Sequence, residues 1–489
     1  MRNFQFYIIL SLLAGVIPVS MPQLSAQKNP FAALENHTPA EKQWVDSVFY
    51  SLTPDQRIAQ LFMAAAYSNK GIAHEDAILQ LIRDYRIGGL IFFQGTPGKQ
   101  VELINYYQSQ AKVPLLIAMD AEWGPGMRLE GVPDFPYQMT LGAIQDDSLI
   151  YIFGAEVARE LKRTGIHMNF APVVDVNNNP NNPVINYRSF GMDRDNVARK
   201  GIMYMRGMQE NGVLATAKHF PGHGDTDTDS HLALPVIRHS RQHLDSLELY
   251  PFRKMIDAGV GAIMVAHLNI PALDSTPGLP STLSKPVITD LLKKELGFNG
   301  IAVTDAMNMK GVADFFPPGI ADVKSLEAGN DLVEFSMNIP IAISEVKKAL
   351  RDGRLNHTDL DNRIRKILTV KYRLGLNHFR PESPDNIDSD LNTTDACLLN
   401  RRLSREAITL LRNRNNTLPV NGLGDKKIAA VVLGADEPTF FQHMLRKYTR
   451  VDLFNLSSDA PAAETARLMD TLQNYNFIIL GLQNLSQRP

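Results

Sequence analysis

Cysteine is almost missing from this chain: Cys397 is the single one in 489 residues. That excludes an internal disulfide framework, a cysteine-rich zinc site and a protein-ligated iron–sulfur cluster. An excess of one charge is lacking too. Lys+Arg 50 against Asp+Glu 52 leaves a net charge of -2, with neither a basic footprint for nucleic acid nor an acidic tail. No Gly-x-Gly-x-x-Gly follows the first strand candidate, which argues against an open dinucleotide-binding sheet. Beyond residue 26 no run is apolar enough to span a bilayer. What is present, 44% hydrophobic and 21% charged residues, is ordinary globular material with ample stock for a core. At ~150 residues per domain, the length suggests two or three domains.

The first 26 residues stand apart. Arg2 supplies a short positive region, Phe4 to Val19 form a mostly apolar run, and Leu24-Ser25-Ala26 resembles a signal peptidase site. The run holds Pro18 and falls short of the ~20 residues of a membrane helix. Residues 1–26 therefore read as a cleaved signal peptide, with Gln27 as the mature N-terminus and no cysteine near the cut for a lipid anchor. The expectation is a periplasmic or secreted protein, off the membrane once the signal is removed.

From about residue 50, helical segments alternate with short apolar runs. Thr53-Pro54-Asp55-Gln56 is a helix start with a capping box, and Ile58, Leu61 and Phe62 follow at helical spacing. Strand candidates are Ile87–Phe93, Leu115–Met119, Met168–Val176, Leu214–Phe220, Ala262–Leu268, Ile301–Met307 and Leu332–Phe335. Helical stretches such as Asp147–Lys162, Asn196–Gln209, Leu244–Ala258 and Lys285–Leu296 lie between them. Continuous apolar strands separated by amphipathic helices imply parallel strands buried on both faces. The fold class is α/β, and a (β/α)₈ barrel over residues 27–380 fits better than an open sheet.

Residues 381–394, with Pro381, Pro384 and several Asp and Asn, read as a linker. Residues 395–489 then open a second α/β domain. It has a helix over Asp395–Leu411, strands at Lys427–Gly434 and Phe477–Leu482, and a helix near Pro438–Tyr448. The chain reads as part of a longer protein.

In a (β/α)₈ barrel the chemistry sits at the C-terminal ends of the strands. Five candidates end in polar residues: Asp120, Asp175, Lys218-His219, His267 and Asp305. The most unusual segment is Lys218 to His231, KHFPGHGDTDTDSH. As a calcium loop it fails, because Ser230 stands where Gly is needed and Val236 where Glu is needed. A zinc site at His219, His223 and His231 is weakened by Pro221, Gly222 and Gly224, which disfavour a helix that would align the rings. The third reading is a mobile catalytic loop in which Gly222 and Gly224 let His231 swing inward. Asp229 and His231 are two apart, so in extended backbone the carboxylate stands beside the imidazole and supports a protonated ring. A polar surface loop with a local turn hydrogen bond is the alternative without chemistry.

From about residue 45 to 375 the chain resembles glycoside hydrolase family 3, in its β-N-acetylglucosaminidase (NagZ-like) branch. The resemblance rests on KHFPGHG followed by DSH, with MD at 119–120, APVVDV at 171–176, RSFG at 188–191 and TDAMNM at 304–309. It implies Asp305 as nucleophile, His231 as acid/base and Asp229 as its partner, with Asp120, Arg128, Arg188, Lys218 and His219 as sugar contacts. The family's Q-E-G-G departs here to Ala121-Glu122-Trp123-Gly124, and Trp123 would either stack on a sugar or pack the loop. The implied activity is removal of non-reducing terminal N-acetylglucosamine with retention, needing neither metal nor cofactor. Export adds cell-wall fragments as the expected substrate, with chitooligosaccharides as the other possibility. Phosphorolysis is an alternative, since a neutral imidazole does not repel phosphate as a second carboxylate would. A non-catalytic carbohydrate-binding barrel is another.

Overall fold

The computed structural model describes residues 29–228 and 233–483. The signal segment 1–26, the cut before Gln27, and the pair Asp229 and His231 lie outside the described residues.

Eight parallel strands form the main sheet: β1 (Phe62–Ala66), β2 (Gly89–Phe92), β3 (Leu116–Met119), β4 (Met168–Asn169), β5 (Leu214–Phe220), β6 (Ala262–Val265), β7 (Ile301–Thr304) and β8 (Val333–Glu334). Their order is β7-β6-β5-β4-β3-β2-β1-β8. β1 pairs with β8 through Phe62–Val333 and Met63–Glu334. A parallel bridge between Val303 and Leu332 brings β7 against β8, so the sheet curls into a (β/α)₈ barrel. Strand residues are buried almost throughout, because side chains fill the lumen while helices cover the outside.

Thr53 does cap a helix, accepting from Gln56 N at 3.4 Å, while Gln56 Oε1 accepts from Thr53 N at 3.1 Å. That helix stops at Ala59, however, and Phe62 opens β1 instead of continuing it. Met and Ala are good helix formers, so the FMAAA segment carries no β signal of its own; burial on both faces sets its state. β4 is shorter than the Met168–Val176 expected. Pro172 has no N–H to give a ladder, and the chain follows β5 through single bonds such as Val174 N to Lys218 O at 2.7 Å. The expected Leu244–Ala258 helix is two, Arg241–Ser246 and Leu249–Asp257.

Residues 381–394, read as a linker, lie along the barrel wall and include a helix, Ile387–Leu391, with both end residues buried. Arg163 donates to Ser383 O and Asp385 O at 2.6 and 2.8 Å and pairs with Asp390 at 2.8 Å. The helix Thr394–Glu406 buries Ala396 and Leu403 in the barrel's own core. Asn392 donates to Gly131 O at 3.1 Å and Asn400 to Asp134 O at 2.7 Å, so both side chains hold the loop that follows β3. Beyond them β9 (Ile428–Leu433), β10 (Val451–Leu456) and β11 (Phe477–Leu482) form a parallel sheet in the order β10-β9-β11 with a small core of its own. Among the described residues no helix is long and apolar enough to cross a membrane.

Candidate active site

The strand ends converge on a cavity of about 490 Å³ at the C-terminal mouth of the barrel. This is within the ~300–1,000 Å³ of small-molecule sites. Asp120, Glu122, Arg128, Arg188, Lys218, His219, His223, Asp305 and Glu334 all border it. The six sequence-identified residues among the described ones, Asp305, Asp120, Arg128, Arg188, Lys218 and His219, are therefore brought together.

Asp120 follows β3, and the loop after it is held from behind. Asn169 exchanges two bonds with Ala121, at 3.0 and 3.1 Å. The Tyr204 hydroxyl donates to Ala121 O and Glu122 O at 3.1 and 3.2 Å. Lys218, from the end of β5, then bridges two carboxylates, with Nζ 2.8 Å from both Asp120 and Glu122. Arg128 takes the other Asp120 oxygen at 2.8 Å, and Arg188 clasps Glu122 with two bonds at 2.9 and 2.6 Å. Burial alone would push both carboxyls toward the neutral form. Lys218 and Arg128 outweigh it at Asp120, as Arg188 and Lys218 do at Glu122, and both stay below the usual carboxylate range. The network is rigid and ionised, and it presents fixed donors and acceptors to a polyhydroxylated ligand.

His219 is oriented from both sides. Its Nδ1 lies 2.7 Å from Asp175, and its Nε2 lies 3.3 Å from the Arg188 guanidinium. A guanidinium only donates, so in the neutral ring Nε2 accepts and the Nδ1 proton faces Asp175. Asp175 also accepts from the backbone N–H of His219, at 3.2 Å, and of His223, at 2.7 Å. The His223 ring bonds Thr226 at 2.8 Å, and burial drives its pKa down to about 4. With His219 Nδ1 and Nε2 and His223 Nδ1 committed in this way, the zinc reading of the two rings finds no support in their geometry.

Asp305 follows β7 and accepts from the backbone N–H of Ala306 at 2.8 Å. Burial would raise its pKa, but His267, His219, the Ala306 N–H and Lys218 together bring it down to about 2. His267 sits beneath, its Nε2 3.0 Å from Ala306 O and its Nδ1 2.6 Å from Thr282 Oγ1. An ionised carboxylate thus faces the cavity with one oxygen fixed. That is the state a nucleophile requires.

One wall is aromatic: Tyr67 stacks on Phe93 at 5.1 Å, and Phe335 lies 5.8 Å from Phe93. Trp123 packs edge-on against Tyr137 at 4.8 Å and also lines the cavity, so it packs the loop while bordering the site. The loop leaving β5 is anchored ahead of Asp229 by a bond between Asp225 and His239. Its glycines answer to packing. A Cβ at Gly222 (φ +132) would meet Glu248 at 2.6 Å, and one at Gly224 would meet Val176 O at 1.8 Å.

Sequence reasoning left Glu122 and Glu334 without a role, weighed His223 only as a zinc ligand, and named Asp175 and His267 only as strand ends. Glu334 carried the same strand-end signal but lay inside an apolar run. Glu122 stood in the very segment where the family pattern departs.

The parallel barrel gathers an ionised carboxylate and a clamp of Arg, Lys and Asp at its C-terminal mouth, the face where barrel enzymes of this class carry their sites. The comparisons agree. The chain belongs to glycosyl hydrolase family 3, whose N-terminal domain matches residues 53–370. It is 35% identical over 380 residues to β-hexosaminidase A of Pseudoalteromonas piscicida, covering 70% of this chain and 62% of that one. The chain thus spans less than two thirds of that relative's length. Among solved structures, a family 3 β-N-acetylglucosaminidase from Paenibacillus sp. str. FPU-7 is 35% identical with a TM-score of 0.75, over 88% of this chain and 84% of that one. A β-glucoside phosphorylase superimposes with a TM-score of 0.78 over 93% of this chain and 84% of that one, at 24% identity. That likeness shows the fold alone.

Proposed function

We propose that the chain is a retaining exo-β-N-acetylglucosaminidase that removes non-reducing terminal N-acetylglucosamine from β-linked oligosaccharides. The observation that carries this is Asp305, ionised, held by the Ala306 N–H and facing the clamp of Asp120, Arg128, Arg188, Lys218 and His219. Asp305 attacks the anomeric carbon and the aglycone leaves, giving a glycosyl-enzyme that water then resolves. His231, supported by Asp229, protonates the leaving oxygen and afterwards takes the proton of the water. This assignment comes from the family resemblance, and the anchored start of the loop at the cavity edge is compatible with it. The clamp fixes the ring against Asp305, so orientation is supplied before reaction. The names of the Pseudoalteromonas and Paenibacillus relatives support the N-acetylglucosamine specificity.

Peptidoglycan fragments are the substrate we favour, on the strength of the exported N-terminus read in residues 1–26. A mature protein beginning at Gln27 and recovered from the periplasm or the medium would support that location. Hydrolysis of an aryl β-N-acetylglucosaminide followed by NMR tests the reaction: the β-anomer should form first. N-acetylglucosamine-1-phosphate formed in phosphate buffer would replace hydrolysis by phosphorolysis. Release of N-acetylglucosamine from purified muropeptides in preference to chitooligosaccharides decides the natural substrate.

A further inference from the structure

We infer that Glu334 is a further sugar-contacting residue of this pocket, donating an O–H hydrogen bond to the bound sugar beside the carbon that Asp305 attacks. The inference rests on the glycosidase reading above. The Val303–Leu332 bridge sets the register of β7 and β8, and two residues further along both strands stand Asp305 and Glu334. Residues i and i+2 share a face and adjacent strands run ~4.8 Å apart, so the two carboxyl-bearing residues stand side by side at the mouth. Glu334 borders the same cavity, is 2% exposed, and its Oε1 is buried without a hydrogen-bond partner among the described residues. A buried polar oxygen left unpaired in a pocket that otherwise pairs its charges calls for a partner from outside the chain.

The neighbours decide its form. Asp305 faces it from β7 and Asp120 from β3, with Lys218 from β5, Arg128 from the loop after β3 and Tyr67 from the end of β1. The two cations are already spent, Arg128 on Asp120 and Lys218 on Asp120 and Glu122. Asp305 has a backbone donor; Glu334 has none shown, and like charges at registered positions repel. Burial, Asp305 and Asp120 raise its pKa well above the ordinary carboxyl value. Two neighbouring carboxyls are thereby driven apart into an ionised nucleophile and a neutral donor, an arrangement that adjacent acids adopt elsewhere. A neutral carboxyl offers one donor and one acceptor, which suits a hydroxyl or an amide carbonyl of the sugar.

The test uses the chain as it stands, with p-nitrophenyl N-acetyl-β-glucosaminide for turnover and N-acetylglucosamine for binding across pH. Glu334→Ala should lower kcat/KM roughly 10–100-fold, and Glu334→Gln, which keeps an N–H donor, should recover most of that loss. Sugar binding by the unaltered chain should weaken as pH rises and Glu334 loses its proton, and Glu334→Gln should lack that weakening. If Glu334→Ala does not fold, the Glu334→Gln pH profile decides alone. Full activity in Glu334→Ala, or in Glu334→Gln damage equal to that of Glu334→Ala, overturns the inference and leaves the glycosidase reading intact. An unaltered chain that neither cleaves the glycoside nor binds the sugar overturns both.

Discussion

Replacing Asp175 by Asn separates the support of the site from its chemistry. Asp175 is fully buried and accepts from His219 N, His219 Nδ1 and His223 N. An Asn of the same shape keeps one acceptor oxygen and turns an NH₂ toward at least one of those donors. Losing one or two hydrogen bonds to a charged group, at ~1.5–3 kcal/mol apiece, costs about 1.5–6 kcal/mol. At an unfolding entropy of ~2 cal/mol/K per residue, a barrel of this size loses roughly 2–8 °C in Tm. Activity should fall as well, because His219 is no longer bound to present Nε2 as acceptor to Arg188. We expect kcat/KM for an aryl N-acetylglucosaminide to drop about 10–100-fold, chiefly through KM, if His219 is the sugar contact we propose. The pH dependence has a definite sign. Burial opposes ionisation of Asp175, but His219 and the His223 N–H prevail, so its folded pKa lies below the ordinary value. The stabilisation is present above the unfolded carboxyl pKa of ~3.9 and is lost as pH falls through the folded value. The gap in Tm between wild type and Asp175→Asn should close below about pH 4. A variant with unchanged Tm and unchanged KM would refute the support role.

Asp305→Asn should abolish turnover, by ~10³-fold or more, and a fluorinated slow substrate should label Asp305 alone; a label on Asp175 or Asp314 would overturn the nucleophile. With its pKa near 2, Asp305 stays ionised through the acid range, so it should contribute no acid limb to kcat/KM above about pH 3. His231→Ala should cost ~10²–10⁴-fold on a disaccharide and far less in glycosyl-enzyme formation from a dinitrophenyl glycoside. Equal losses on both would make the loop merely structural. Lys371 is buried with Gln60 as its partner at 2.7 Å, and burial lowers its pKa to about 7. The unfolded chain binds the extra proton between about pH 7 and 10, so stability should climb over that range. Lys371→Met should raise Tm at pH 7 and flatten the climb, which thermal melts across pH will show.

The barrel was legible because buried parallel strands such as Leu115–Met119 are apolar from end to end and need no partner to be recognised. β1 was not, because Phe62–Ala66 is written in helix-forming residues and only tertiary burial makes it a strand. The charged clamp was legible as polar residues closing apolar runs. Glu122 and Glu334 escaped because their meaning is relational: the first matters through Arg188 and Lys218, the second through the register of β7 with β8. Asp229 and His231, proposed as the acid/base pair, were read from the DSH motif and its two-residue spacing.

Asn392 and Asn400 lie outside the strand–helix repeat, yet they hold Gly131 and Asp134 of the loop that carries Arg128 to Asp120. Counted by topology, the catalytic unit could be cut after the helix His357–Arg373, with all eight strands intact. Counted by what keeps the sugar clamp in register, it runs on to Glu406. A shortened barrel for engineering or crystallography should therefore stop after the Thr394–Glu406 helix, not before it. A chain trimmed at the earlier point would keep Asp305 and lose two hydrogen bonds that hold the loop carrying Arg128.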